Sequence, residues 1–518
     1  MRGRETHWVE TARFNLWGVE GKGLDKRVLI GVLVLAFLIR LPLLFYPEII
    51  HNDSAEYIRH AELILSGNWS GGKAPPLYPS LIASARLLLL DAEQAGIFVS
   101  LIFGAFLVLP IFYLGREIFD ERVGLVSALI AVFHPFLLLA SGSVLTESTY
   151  YFLVAATVLW GWYAFRQGRI RDILFFSLFT TLAYLTRPEG IGFLIVFSLW
   201  ILMARPSDKG RPGIRRIGIG LLAVCCFLLF SAPYLLQIRK ETGRWGITKK
   251  FVILMESRDE EGAETLETFT KKKEVHLLTL LRNPLAVAKK VAAGFFESLY
   301  KFQQGFHPVL FFLALFGFLL IRRNPFNVKG NLYLFAYFFF FLGLILPFFW
   351  ITRRYTSQMI PIAIPWAAFG FLKVAGWLSK RIKEGAFQKR FPVFLLIVLL
   401  LGLLIQGWIT HNRDRNYRMI QKEVGLWMKA HLPKGQKMMS KMGQESFYAG
   451  QAWVKLPEKG YGEILGEARS RGVRYLVVDE SIEKDSPDFS EKSREGDLKA
   501  LFELKRRKRS MIVFEILP

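Results

Sequence analysis

Four polar stretches carry residue types that could perform chemistry on an anionic substrate: His51-Asn52-Asp53-Ser54-Ala55-Glu56-Tyr57 with the turn Lys73-Ala74-Pro75-Pro76-Leu77-Tyr78-Pro79, then Leu145-Thr146-Glu147-Ser148, Thr186-Arg187-Pro188-Glu189-Gly190 and Trp350-Ile351-Thr352-Arg353-Arg354-Tyr355. The carboxylates Asp53 and Glu147 can take a proton from an attacking hydroxyl. The paired arginines Arg353 and Arg354 can hold a fixed phosphate, and Lys73 is a cation at the end of a rigid, extended turn. Each stretch also has a structural reading. Asp53 and Glu56 fit a capping box at the start of a helix over Ser54–Ser66, with Asp53 as the N-cap. Lys73 fits an interface lysine, Glu147 a residue favoured by a helix N-terminus, and Arg187 with Glu189 an ion pair closing a turn. Location has to separate the two readings.

The elements that position these residues are apolar. The chain has 518 residues, 52% hydrophobic and 15% aromatic, with a mean hydropathy of +0.31, which fits repeated bilayer crossings. Runs close to the ~20 residues that a bilayer core demands fall at about 28–46, 95–115, 122–139, 148–165, 172–186, 190–204, 216–237, 306–322, 331–351, 356–378 and 391–410. That predicts eleven spans. Leu77–Leu90 is too short, holds Arg86 and is followed by Asp91 and Glu93, so it is expected to lie at the interface or to be re-entrant. With the N-terminus in the cytoplasm, the turns Arg116–Arg122, Arg166–Arg171, Arg205–Arg216, Arg322–Lys329 and Lys380–Arg390 all fall inside, and all are basic, as the positive-inside rule requires. Asp53, Lys73, Glu147, Arg187, Glu189, Arg353, Arg354 and Tyr355 then share one extracytoplasmic face. Ionisable residues gathered at membrane ends mark a site, and two arginines on the side where they are disfavoured call for an anion.

The first run, Val28–Tyr46, has no small-residue cleavage site after it and reads as a retained anchor. The net charge of +24 sits in short runs between spans, so anionic lipid head groups explain it and nucleic acid is not expected. Cys225 and Cys226 are the only cysteines and are adjacent; they offer no disulfide or metal framework. The segment 239–305 reads as an exported loop with an acidic run, Glu256–Glu264, a basic run, Lys271–Lys273, and an amphipathic stretch, Leu285–Tyr300. Within the membrane part, 1–410, the first exported loop is 47–94. Residues 411–518 read as a soluble extracytoplasmic α/β module: helix at Tyr417–His431, strands at Arg474–Asp479 and Met511–Ile516, and a helix at Asp497–Leu504.

The order and common sidedness of these pieces resemble the membrane-integral C-type glycosyltransferases (GT-C fold), in the branch of protein O-mannosyltransferases and lipid A aminoarabinose transferases. The matching pieces are Asn52-Asp53-Ser54-Ala55-Glu56-Tyr57, the Lys73 turn, Glu147, Leu185-Thr186-Arg187-Pro188-Glu189-Gly190, and Arg354-Tyr355 followed by Pro361-Ile362-Ala363-Ile364-Pro365. The resemblance implies an α-helical polytopic inner-membrane enzyme that moves a sugar, with inversion, from a polyprenyl-phosphate carrier to an envelope lipid, glycan or protein. It implies Asp53 as catalytic acid or base and Glu147 as its supporting carboxylate. Lys73, Arg187, Arg353, Arg354 and Tyr355 would surround the carrier phosphate, with Glu56 close by. The chain differs from many relatives in having Asp53-Ser54 where they have Asp-Glu, and Ala74 between the lysine and the prolines. No cofactor is required by this reading, although a divalent metal held by Asp53 and Glu147 could replace part of the cationic clamp. The rival readings are an oligosaccharide ligase with a diphosphate carrier, a multi-span lipid or solute transporter, and an assembly factor working through its C-terminal module.

Overall fold

A helix or bent helix pair occupies each of the eleven predicted positions. The computed structural model describes residues 26–69, 72–88, 91–203, 213–249, 284–320, 325–348, 351–457, 460–482, 486, 489, 496–506 and 509–517. The runs Glu256–Glu264 and Lys271–Lys273 and residue Trp350 lie outside the described residues. In chain order the helices are α1 (Lys26–Arg40), α2 (Pro42–Phe45), α3 (Asn52–Leu65), α4 (Leu77–Arg86), α5 (Ala92–Phe106), α6 (Val108–Ile118), α7 (Glu121–Phe133), α8 (Pro135–Ser141), α9 (Glu147–Gln167), α10 (Ile170–Thr186), α11 (Ile191–Met203) and α12 (Gly213–Thr242). They continue with α13 (Pro284–Phe306), α14 (Pro308–Leu319), α15 (Pro325–Phe339), α16 (Arg353–Thr356), α17 (Ile360–Ser379), α18 (Ala386–His431), α19 (Gln444–Ala449) and α20 (Tyr461–Ser470). Among the described residues six helices are long and apolar enough to cross a bilayer, or up to eight if each of two bent pairs counts as one span. The helix predicted from Leu77 is α4, only 10 residues long and so too short to cross.

Helix ends follow side-chain chemistry. Asp91 accepts from Gln94 N–H at 2.8 Å and Asp120 from Val123 N–H at 2.9 Å, starting α5 and α7 as N-caps. Gly168, at φ +58°, ends α9. Both sharp bends sit at a His-Pro pair. His134-Pro135 separates α7 from α8 by 56°, and His307-Pro308 separates α13 from α14 by 117°. Pro135 has no N–H, so Ala131 loses its helical donor, and Phe136 N–H turns to His134 Nδ1 at 3.2 Å, leaving Val132 without one. Arg40, wholly buried, supplies both: it donates to Val132 O and Ala131 O, each at 3.2 Å. His134 donates through Nε2 to Phe306 O at 3.2 Å, joining one break to the other.

The last helix, α18, runs for 46 residues from the membrane part into a five-stranded sheet of order β2-β1-β3-β5-β4. β1 (Lys437–Ser440), β2 (Ala452–Lys455) and β3 (Tyr475–Asp479) are parallel, while β5 (Arg509–Ile516) is antiparallel to β3 and to β4 (Leu498–Arg506). The segment Asp497–Leu504, expected to be a helix, is therefore strand β4. A register shift between Ala500 and Phe502 breaks the two-residue alternation, leaving Leu498, Leu501, Phe502 and Leu504 at spacings that mimic a helical face.

Candidate active site

Helix α3 begins one residue before Asp53. His51 N–H donates to Ser54 Oγ at 2.9 Å, so Ser54 closes the first turn and Asp53 stands inside it. The capping-box reading of Asp53 and Glu56 fails on this geometry. Glu56 instead pairs with Arg59 at 3.0 Å and accepts Lys73 N–H at 3.4 Å. The Asp53 side chain is thus left for Arg354, whose Nη1 donates to its Oδ2.

Arg354 reaches this point because Thr352 Oγ1 accepts Tyr355 N–H at 3.4 Å and starts α16. The same guanidinium donates through Nε to Glu147 Oε1 and through Nη2 to Glu147 Oε2 at 3.4 Å. Arg187, at the end of α10, lies 3.6 Å from Glu147 Oε1 and 3.3 Å from Glu189 Oε1. Its guanidinium sits over Tyr150 at 5.3 Å and Tyr355 at 5.2 Å, a cation–π arrangement that fixes its plane. Two arginines and three carboxylates from four chain segments thus form one cluster. It is graded in depth, the side chains of Asp53, Arg354 and Glu147 being 50%, 33% and 4% exposed.

Of the residues expected from sequence, Asp53, Glu147, Arg187, Arg354 and Tyr355 converge. Lys73 and Arg353 are exposed, and neither side chain pairs with another described residue. The turn that carries Lys73 is tied down by Lys249, which donates to Gly72 O at 3.1 Å, and by Gln237, which donates to Trp69 O at 2.8 Å. Tyr57 was missed as a site residue. It stands four positions after Asp53 on α3, edge-on to Tyr78 at 5.3 Å, and burial together with the Asp53 carboxylate pushes its phenol well up. Tyr150 and Tyr151, three and four residues after Glu147, donate to Gln358 at 3.1 Å and bond to Ser357, pinning α9 against the Arg354 segment. The helical spacing from each carboxylate was the available signal. As for a metal, no group of three or more His, Cys, Asp or Glu side chains gathers among the described residues. Asp53 and Glu147 are bridged by Arg354, which stands where an ion shared between them would have to be.

The same arrangement of helices is found in known structures. The chain aligns with ArnT from Cupriavidus metallidurans bound to undecaprenyl phosphate at a TM-score of 0.61 and 12% identity, over 95% of this chain and 98% of that one. The chain has the C-type glycosyltransferase fold. An oligosaccharyltransferase from Archaeoglobus fulgidus, in complex with zinc and sulfate, shares this GT-C fold at a TM-score of 0.59 and 15% identity, over 87% of this chain and 68% of that one. The family model described as dolichyl-phosphate-mannose-protein mannosyltransferase matches residues 73–236, a stretch of the GT-C fold that includes Lys73, Glu147 and Arg187. No curated protein sequence matches the chain.

Proposed function

We propose that this protein is a membrane glycosyltransferase that transfers a sugar from a polyprenyl-phosphate carrier to an acceptor on the extracytoplasmic side. The observation that carries the reading is Arg354, which joins Asp53 to Glu147 across 301 and 207 residues of chain at helix ends of the GT-C fold. The carrier phosphate would bind Arg354, with Lys73, Arg187 and Arg353 adding positive charge, and Tyr355 and Glu56 lining the approach. Lys73 and Arg353 are exposed and unpaired among the described residues, as groups awaiting an anionic ligand would be.

Phosphate bound at Arg354 competes with Asp53 for the guanidinium and frees that carboxylate. Asp53, the most exposed member, then takes the proton of the acceptor hydroxyl. The hydroxyl oxygen attacks the anomeric carbon, the carbon–oxygen bond to phosphate breaks, and polyprenyl phosphate leaves with its new charge held by the arginines. A single displacement inverts the anomeric carbon. For an acceptor that is itself a phosphate, Asp53 orients it and no base is needed. Glu147, deeply buried between Arg354 and Arg187, holds both cations in place. In this reading residues 1–410 form the catalytic part and 411–518 the exported module. The N-terminus lies in the cytoplasm, eleven segments cross or line the membrane, and the chain's own cations supply the clamp, part of which a divalent metal held by Asp53 and Glu147 could replace.

The test is release of free carrier phosphate by the purified protein in liposomes, offered a panel of polyprenyl-phosphate and polyprenyl-diphosphate sugars with an envelope acceptor extract. Asp53→Asn at equal yield and Tm is expected to lower kcat by about 10²–10⁴. A fully active variant removes Asp53 from the reaction, and release from diphosphate donors alone makes the protein an oligosaccharide ligase.

A further inference from the structure

Between the end of α2 and the start of α3, residues 46–51 form no regular structure, yet they lead directly into Asp53. Tyr46, Pro47, Glu48, Ile50 and His51 of this stretch each meet a residue more than 360 positions away. His411 donates to Tyr46 O at 2.9 Å, and Arg415 donates to Pro47 O at 3.1 Å while its guanidinium covers the Tyr46 ring at 3.8 Å. Arg418 lies 2.7 Å from His51 Nε2 and 3.5 Å from Glu48 Oε2, and Glu48 is tied to the α8 end through Ser143 at 2.8 Å. These three residues, at i, i+4 and i+7, form one face of α18.

The module continues the same row of contacts. Tyr448 Oη accepts Ile50 N–H at 3.3 Å and donates to Glu93 at 2.8 Å. Gly443 N–H donates to Asn52 Oδ1 at 3.1 Å, and Asn52 Nδ2 lies 2.9 Å from Met442 Sδ. Asn52 is the residue immediately before Asp53. A coil with few hydrogen bonds of its own cannot hold a side chain to the ~0.5 Å that positioned catalysis requires; here most of the ties come from 411–448, with Gly142 and Ser143 holding Glu48 from the α8 side.

We propose that the 411–448 segment is a positioning device for Asp53: the α18 face His411-Arg415-Arg418, with Gly443 and Tyr448, sets the register of the α3 N-terminus against Arg354. The proposal rests on the assignment of Asp53 as the base, and it makes the exported module part of the catalytic geometry although none of these residues touches the reacting atoms. Arg418, Tyr448 and Asn52 are positioning residues.

The experiment compares full-length wild type, Arg418→Gln, Arg418→Lys and the minimal Tyr448→Phe in liposomes. It combines amide hydrogen exchange with steady-state transfer at varied donor. In Arg418→Gln, exchange at 46–56 is expected to rise at least about tenfold while 353–360 and β3 stay protected. The kcat should fall by about a hundredfold, the cost of a ~1 Å misplacement, with donor KM within about twofold of wild type. Arg418→Lys should recover part of the rate, and Tyr448→Phe should show a smaller change of the same kind. Unchanged exchange at 46–56 in both Arg418→Gln and Tyr448→Phe overturns the proposal, as does raised exchange with undiminished kcat, or loss of rate that only follows a fall in Tm. A wild type that transfers from no carrier would refute the proposed reaction instead, and the exchange data alone would then decide whether 411–448 holds the α3 N-terminus.

Discussion

Asp53 and Glu147 share a guanidinium but differ in what surrounds them, and the difference predicts separable kinetics. Glu147 is buried against Arg354 and Arg187, so its replacement leaves Arg354 with Asp53 alone and Arg187 with Glu189 alone in a poorly solvated place. Glu147→Gln is expected to raise donor KM and lower kcat/KM by about a hundredfold, the order of a lost charged hydrogen bond with its neighbours disordered. Asp53→Asn should act on kcat with little change in KM, and initial rates at varied donor and saturating acceptor distinguish the two. Asp53, Glu147 and Arg354 were legible because sidedness alone puts them on one face. Tyr57, Tyr150 and Arg418 were not, because a tyrosine or arginine in sequence carries no mark of what it will touch.

At the scale of elements, breaks matter more than lengths. Arg40 is an arginine inside an apolar helix, and its donors serve the two carbonyls that the His134-Pro135 break exposes. Arg40→Met keeps the bulk and removes the donors. Each orphaned buried carbonyl costs about 1–3 kcal/mol, so thermal unfolding in detergent should show a Tm several degrees lower, with no change in KM for donor. The sequence displayed Pro135 but not the residue that would repair its effect, which lies 91 positions before Ala131. Strand β4 was misread for a similar reason, since its bulge is imposed by pairing with β5. In the same module Glu445, 2% exposed, is pushed up to about 7 by burial and by nearby Asp479. The folded module therefore keeps a proton that the unfolded chain, titrating near 4.5, has released. The stabilisation is complete below pH 4.5 and is lost as pH rises to 7, up to about 3 kcal/mol. Denaturant unfolding of the full chain, followed at the module by hydrogen exchange between pH 4.5 and 8, should show that slope, and Glu445→Gln should flatten it.

For the whole molecule the proposed orientation, with the basic turns in the cytoplasm, rests on the basic turns and on the shared face of the site residues. It predicts labelling. After Cys225→Ala and Cys226→Ala, a cysteine at the exposed Lys499 of β4 should react with a membrane-impermeant maleimide in intact cells. One at the exposed Lys383, in the turn before α18, should react only after the membrane is opened. The reverse pattern inverts the topology. The fold class was readable from hydropathy and charge because a bilayer demands long apolar helices; how those helices bend and which ones cross was not, because that depends on side chains such as Arg40 and His134 acting between distant segments.

Helix α18, at 46 residues, is about 69 Å long at 1.5 Å per residue, more than twice the thickness of a hydrocarbon core. Beyond its apolar part, its His411-Arg415-Arg418 face meets residues 46–51, just ahead of Asp53. A change of about 5° in its tilt, of the kind that bilayer thickness imposes on a transmembrane rod, carries a point about 30 Å farther along sideways by about 3 Å. On the proposal that 411–448 positions Asp53, such a tilt would make bilayer thickness an input to the transfer rate, which rates in liposomes of different acyl-chain length would reveal.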